Sequence, residues 1–311
     1  MKRFITNNIS ILGPFIGLIF FSIILGIFSD SFFTFDNLLN LLRQISVNAL
    51  IAFGMTFVIL TAGIDLSVGS ILALGSALTA GLLTSGMDPI LAIIIGLLIG
   101  FVLGAINGLV ITKGKVAPFI ATLATMTIYR GATLVYTDGR PITGLSDSFS
   151  FQMIGKGYVF GIPFPVILML IAFAILYFIL RKTVFGRQVY AIGGNEEAAI
   201  LSGIKADRVK IWVYSITGML SVLAGIILTS RLNSAQPTAG SSFELDAIAA
   251  VVIGGTSLMG GKGKIVGTLI GALIIGVIDN GLNLLNVSSF YQQIVKGGII
   301  LLAVLLDRRS K

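Results

Sequence analysis

The sequence predicts an all-α, polytopic bundle of transmembrane helices, about ten spans in all. Three observations carry this. Of 311 residues, 56% are hydrophobic and 11% charged, against about 25% charged in a typical soluble domain. The mean hydropathy is +1.02. The basic residues lie in short clusters between long apolar runs. A soluble fold of this length could not hide so much apolar surface and still coat itself with polar groups. A bilayer removes the need for that coat.

The elements follow in chain order. Met1 to Phe28 has a basic start, Lys2 and Arg3, and then an apolar run. This is the outline of a signal peptide, but no small-x-small cleavage site follows. Leu25-Gly26-Ile27-Phe28 leads into Ser29-Asp30, so the segment reads as an uncleaved first span, near 11–28. Further spans are expected near 45–62, 66–85, 89–111, 118–136, 163–181, 210–230, 244–259, 263–279 and 290–306. The 244–259 and 263–279 runs are short and Gly-broken at their junction, which leaves room for a discontinuous or re-entrant helix. Such breaks survive at membrane depth only where protein or a cavity surrounds them. The whole of 1–311 reads as a single transmembrane domain.

Charge orients the bundle. With a cytoplasmic N-terminus, the inner segments hold Lys2, Arg3, Lys113, Lys115, Arg181, Lys182, Arg187, Lys205, Arg208, Lys210, Lys262, Lys264, Arg308, Arg309 and Lys311. The outer loops hold Arg43, Arg140, Lys156 and Arg231. Positive charge resists translocation, so this segregation places both termini in the cytoplasm and favours an even number of spans. The net charge of +8 is explained by that rule, and nucleic acid is not the expected partner.

The longest inner segment, 182–209, is also the most polar. Within it Gly193, Gly194, Asn195, Glu196, Ala198 and Ala199 precede Gly203. Glu196 to Leu201 contains good helix formers, Asn195 suits an N-cap, and Gly203 suits a stop. The segment is either a solvated loop helix or a docking element for a cytoplasmic subunit. Gly96, Gly100, Gly104 and Gly108 share one helix face, and Gly263, Gly267 and Gly271 repeat the spacing, a pattern of close helix packing in lipid.

Polar residues inside apolar runs mark a translocation pathway as candidates. Asp65 and Ser67 sit where two spans meet with almost no loop. Asp65 is either a cap on the following helix or part of a helix break that exposes polar backbone to a solute. Asn107 lies deep in a span, where an unpaired amide is expensive; it is an interhelical hydrogen bonder or a pathway residue. Asn280 and Asn283, with Asp279 and Asn286, either face water or line a vestibule for a polyhydroxylated solute. Arg130 and Lys296 are expected to snorkel or pair.

The sequence contains no Cys and no His, which excludes thiol nucleophiles and His-based acid–base or zinc chemistry. No catalytic residue, metal or cofactor is expected. A phosphate loop is absent: Gly261-Lys262 is followed by Gly263 rather than Ser or Thr, and Thr256 occupies the place of the first Gly. No span carries the carboxylate cluster of an ion relay. The chain reads as a framework whose energy source lies elsewhere.

Seven stretches then carry a resemblance: Gly63 to Ser70, Ala117 to Leu123, Gly193 to Ile204, Ser234 to Gly240, Glu244 to Val252, Gly254 to Leu258 and Gly260 to Gly263. Together they make the chain similar to the permease subunits of bacterial ABC importers for monosaccharides. The resemblance implies a non-catalytic inner-membrane subunit that passes a sugar, ribose first, from periplasm to cytoplasm. It implies a homodimer with a second permease copy, an ATP-binding subunit and a periplasmic sugar-binding protein, and it makes 182–209 the coupling loop. The alternatives are a permease for another sugar of the same family and a secondary sugar transporter.

Overall fold

The computed structural model describes residues 2–145 and 147–309 and is built almost wholly from helices. The first five are α1 (Lys2–Phe28), α2 (Phe35–Leu60), α3 (Val68–Thr84), α4 (Pro89–Thr112) and α5 (Pro118–Thr137). The short α6 (Phe149–Lys156) and a hairpin of β1 (Tyr158–Val159) with β2 (Ile162–Pro163) come next. Then follow α7 (Phe164–Lys182), α8 (Val184–Gly194), α9 (Glu196–Leu201), α10 (Ala206–Leu232), α11 (Phe243–Ile253), α12 (Ile265–Leu284) and α13 (Ser289–Arg309).

Every expected span contains a helix, though not always one of its full length. Five of them, α2, α4, α7, α10 and α12, are long and apolar enough to cross a membrane. Shorter apolar stretches run over Leu12–Phe28 and Val68–Thr84. The 244–259 run differs most: α11 has 11 residues, about 16 Å at 1.5 Å per residue, which is half a crossing. From Asn233 to Ser242, residues expected to stay in an outer loop, the chain is mostly non-helical and runs inward to meet the start of α3. Gly240 lies against Gly69 so closely that a Cβ on either would strike the other's backbone. Gly254 to Lys264 then links α11 to α12. The discontinuous element is therefore α11 with its two flanking segments.

The helices start where their residues demand it. Pro89 occupies the first turn of α4, where its missing N–H costs nothing. Asp88 caps the same turn, its Oδ1 accepting from Ile90 N at 3.0 Å and Leu91 N at 3.1 Å. Inside the bundle, hydroxyls return their hydrogens to carbonyls one turn back, as Thr56 does to Ala52 at 2.8 Å and Ser221 to Thr217 at 2.9 Å. That satisfies a polar group with no water at hand.

Burial sorts the helices. α2 is the central column, enclosed over nearly its whole second half. α4 is two-faced. Its Gly96, Gly100, Gly104 and Gly108 point inward, while Ile90, Leu91, Ile94, Leu98, Val102, Ile106 and Leu109 lie exposed on the outer face. An apolar face of this extent belongs against lipid. The glycine face meets α10. A Cβ at Gly104 would strike the Tyr214 carbonyl, and one at Gly100 would lie 2.6 Å from Gly218 O. The second glycine series works the same way: Gly267 and Gly271 press on the Gly254 and Ala250 carbonyls of α11 and its exit.

Candidate functional site

The 182–209 segment is more ordered than a loop. α8, which the composition did not announce, begins at Thr183, whose Oγ1 accepts from Gly186 N at 3.2 Å. α9 follows, with Asn195 Oδ1 accepting from Ala198 N at 2.9 Å and Gly203 ending the turn at φ +85°. The cap, helix and stop thus lie where the residues placed them. Glu196 is held by Lys210 Nζ at 2.6 Å, and Ala199 faces inward.

The predicted residues here divide by surroundings. Gly193 sits against the carbonyl of Leu60, with no room for a Cβ, whereas a Cβ on Gly194 would meet nothing within 4 Å. Leu60 O also accepts from Gly261 N at 3.0 Å, and Tyr190 donates to Gly263 O at 2.8 Å. So α8 is seated on two joints at once: the end of α2 and the Gly254–Lys264 connection. The residues that composition overlooked are Ile200 and Leu201. They are 52% and 89% exposed at the tip of α9. Two large apolar side chains ending a short helix that opens on two glutamates were the available signal.

A second cluster gathers at the α2–α3 break. Asp65 is fully buried. Its Oδ1 accepts from Ser67 N at 2.9 Å and from Ser67 Oγ at 2.6 Å, while no bond to Val68 N forms. Asn107 donates to Ser67 Oγ at 2.7 Å, and Tyr129 donates to Leu103 O at 3.0 Å. Thr122 Oγ1 donates to Ile64 O at 3.2 Å. The break is thereby tied to α4 and α5. Asp65 Oδ2 is the buried oxygen left without a partner there among the described residues.

The remaining predicted residues lie elsewhere. Asn280 and Asn37 exchange both amide hydrogen bonds, at 2.9 and 3.0 Å, which clasps α12 to α2. Asn283 accepts from Gln292 at 2.9 Å and lines a cavity of about 210 Å³ with Gln44, Asn48, Arg231, Phe243, Asp246, Asp279, Gln292 and Lys296. Lys296 does not snorkel: its Nζ sits 3.0 Å from Asp246 Oδ2 and 3.0 Å from Asp279 Oδ2. Arg130 likewise pairs inward, donating to Pro237 O at 2.7 Å and Ala239 O at 2.9 Å. It fastens the non-helical segment ahead of α11. The five candidate pathway residues thus fall into the Asp65–Ser67–Asn107 network, the Asn280 clasp and the Asn283 cavity, and are not brought together.

The family model described as branched-chain amino acid transport system / permease component matches residues 37–304. The chain is 69% identical to the ribose import permease protein of Bacillus subtilis over 299 residues, covering 96% of this chain and 93% of the relative. It is 54% identical to the ribose import permease protein of Escherichia coli K12 over 285 residues, covering 91% and 89%. It is 48% identical to the D-allose transport system permease protein of Escherichia coli K12 over 280 residues, covering 90% and 85%. No solved structure matches.

Proposed function

The chain belongs to the permease-component family of branched-chain amino acid transport systems, and we propose that it is the membrane subunit of an ATP-driven importer whose cargo is ribose. One observation carries the choice of cargo: the ribose permeases, at 69% and 54% identity, stand above the allose permease at 48%. In this reading two copies of the chain form the pathway in the bacterial inner membrane, surrounded by lipid, with all termini cytoplasmic. A periplasmic sugar-binding protein delivers ribose, and a separate ATP-binding subunit supplies the energy.

The geometry of α8 and α9 suits the coupling role. Ile200 and Leu201 offer an apolar knob to a partner, and such exposed anchors dominate interface energetics. Behind the knob, Gly193 and Tyr190 pass any displacement directly to α2 and to the α11–α12 connection. A short rigid lever on two joints converts closure of the ATP-binding subunits into rocking of the bundle. The Asp65–Ser67–Asn107 network then serves to hold the α2–α3 break, and Asn283 belongs to the solute's path.

The test is ribose uptake into proteoliposomes holding the permease, the ATP-binding subunit and the binding protein. Uptake is expected to require internal ATP and to ignore a protonophore. Uptake by the permease alone that collapses with the protonophore would establish a secondary transporter instead. Preferential uptake of another sugar would reassign the cargo within the family.

A further inference from the structure

The cavity beside Asn283 has an unusual chemistry for a site among transmembrane helices. Its charged groups balance: Asp246 and Asp279 against Arg231 and Lys296. Four amides complete its polar wall. Two of these, Gln44 and Asn48, stand one turn apart on α2, the helix otherwise most enclosed. Among the described residues neither amide makes a hydrogen bond within the protein, so each presents a donor and an acceptor to the cavity. Asp279 Oδ1 is also buried without a partner. Buried polar groups are ordinarily hydrogen-bonded; the unpartnered Asp279 Oδ1, beside the half-buried amides of Gln44 and Asn48, leaves this wall with valences that point to a ligand.

The ligand's class follows from the wall. A balanced set of charges gives no net attraction to an ion. Amides both accept from and donate to hydroxyls and carboxylates accept from them, while the ring of Phe243 offers an apolar face. We propose that this cavity is a binding chamber for a neutral, polyhydroxylated solute, with Lys296 holding Asp246 and Asp279 in place so that Asp279 Oδ1 accepts from a hydroxyl. The chamber rests on the reading of the chain as a sugar importer and deepens it: the permease itself contacts the sugar on the side from which it enters.

The lack of any Cys makes a direct test clean. Asn48→Cys is assembled with the ATP-binding subunit and the binding protein in proteoliposomes, and a small polar thiol reagent is added from the binding-protein side with and without ribose. The expected result is labelling that millimolar ribose slows several-fold, while labelling of Arg140→Cys, at an outer-loop residue whose side chain is 84% exposed, is unaffected by ribose. Gln44→Ala with Asn48→Ala is expected to lower ribose uptake about tenfold, two hydrogen bonds' worth, with ATP hydrolysis retained. Labelling of Asn48→Cys that ribose leaves unchanged, or no labelling at all, overturns the chamber, as does full uptake by the double alanine variant. These failures are distinct from failure of the importer reading, which is seen when the unsubstituted complex takes up no ribose.

Discussion

The α4–α10 contact and the contact of α13 with α11 and α12 join helices in lipid by opposite means. Between α4 and α10 the only charged pair, Lys113 with Asp207 at 2.7 Å, lies at the exposed end of the contact among the described residues; along the rest of it glycines on one helix meet backbone carbonyls and side chains of the other. Such a contact gains dispersion from close approach and has one register, because any slide drives a carbonyl into a neighbouring turn. At α13 the hold is ionic. Lys296 bridges to Asp246 of α11 and Asp279 of α12, beside a cavity rather than a filled core. Ionic contacts are directional and can be exchanged for contacts with water or a solute. The difference predicts a rigid body of α2, α4 and α10 and a rearranging element built on α11 and α13.

The sharpest way to break this comparison is to overfill the glycine contact. Gly104→Leu must push α4 away from the Tyr214 carbonyl, and overpacking of this kind costs about 1–3 kcal/mol even where side chains can yield. Here backbone has to move, so loss of folded protein in the membrane is expected, read by expression level and by thermal unfolding in detergent. Gly131→Ala is the control: a Cβ there meets nothing within 4 Å, and unfolding should shift little or slightly upward. A tolerated Gly104→Leu would mean that α4 and α10 are not a fixed pair.

The ionic contact should fail differently. Lys296→Met strands the buried Asp246 and the half-buried Asp279 carboxylates; breaking a fully buried pair from one side costs about 3–5 kcal/mol, and partial exposure here brings the expected loss toward or below the low end of that range. Adding Asp246→Asn and Asp279→Asn removes the stranded charges and is expected to restore most of the lost thermal stability. Restored stability without restored ribose uptake would separate the triad's structural work from its work on the solute. Equal stability of the Lys296→Met single variant and the unsubstituted protein would remove the triad from the comparison altogether.

How far these contacts were legible in the sequence depends on their range. The glycine face of α4 was readable because a period of four is local to one helix, and the structure puts it against α10. Asn195, Glu196 and Gly203 were readable for the same reason, since caps and stops act within a turn. The count of about ten spans came from hydropathy, which finds apolar runs but not where a chain turns inward; it missed that α11 is half a crossing. Lys296 was read as a cation that snorkels or pairs, without its partners, because Asp246 and Asp279 are 50 and 17 residues away along the chain. Asn280 was grouped with Asn283 by proximity in sequence. Yet one turn of helix separates a clasp to Asn37 from a place on the cavity wall.

The smallest effect on stability is expected outside both contacts, at the tip of α9. Leu201→Glu changes a side chain that is 89% exposed and touches no buried partner, so unfolding should move by no more than about 0.5 kcal/mol. If Leu201 is the knob on which an ATP-binding subunit seats, the same change buries a charge in that interface. Ribose uptake should then fall more than tenfold, and co-purification of the ATP-binding subunit should weaken in parallel. Ala199 cannot give this answer, because it faces inward and a bulky replacement would distort α9 and α8 as well. Glu196 is a poorer choice too, since its pairing with Lys210 mixes local stability with docking. Only an exposed residue separates transmission of force from the integrity of the lever, and full uptake by Leu201→Glu would leave α9 a solvated helix with no part in coupling.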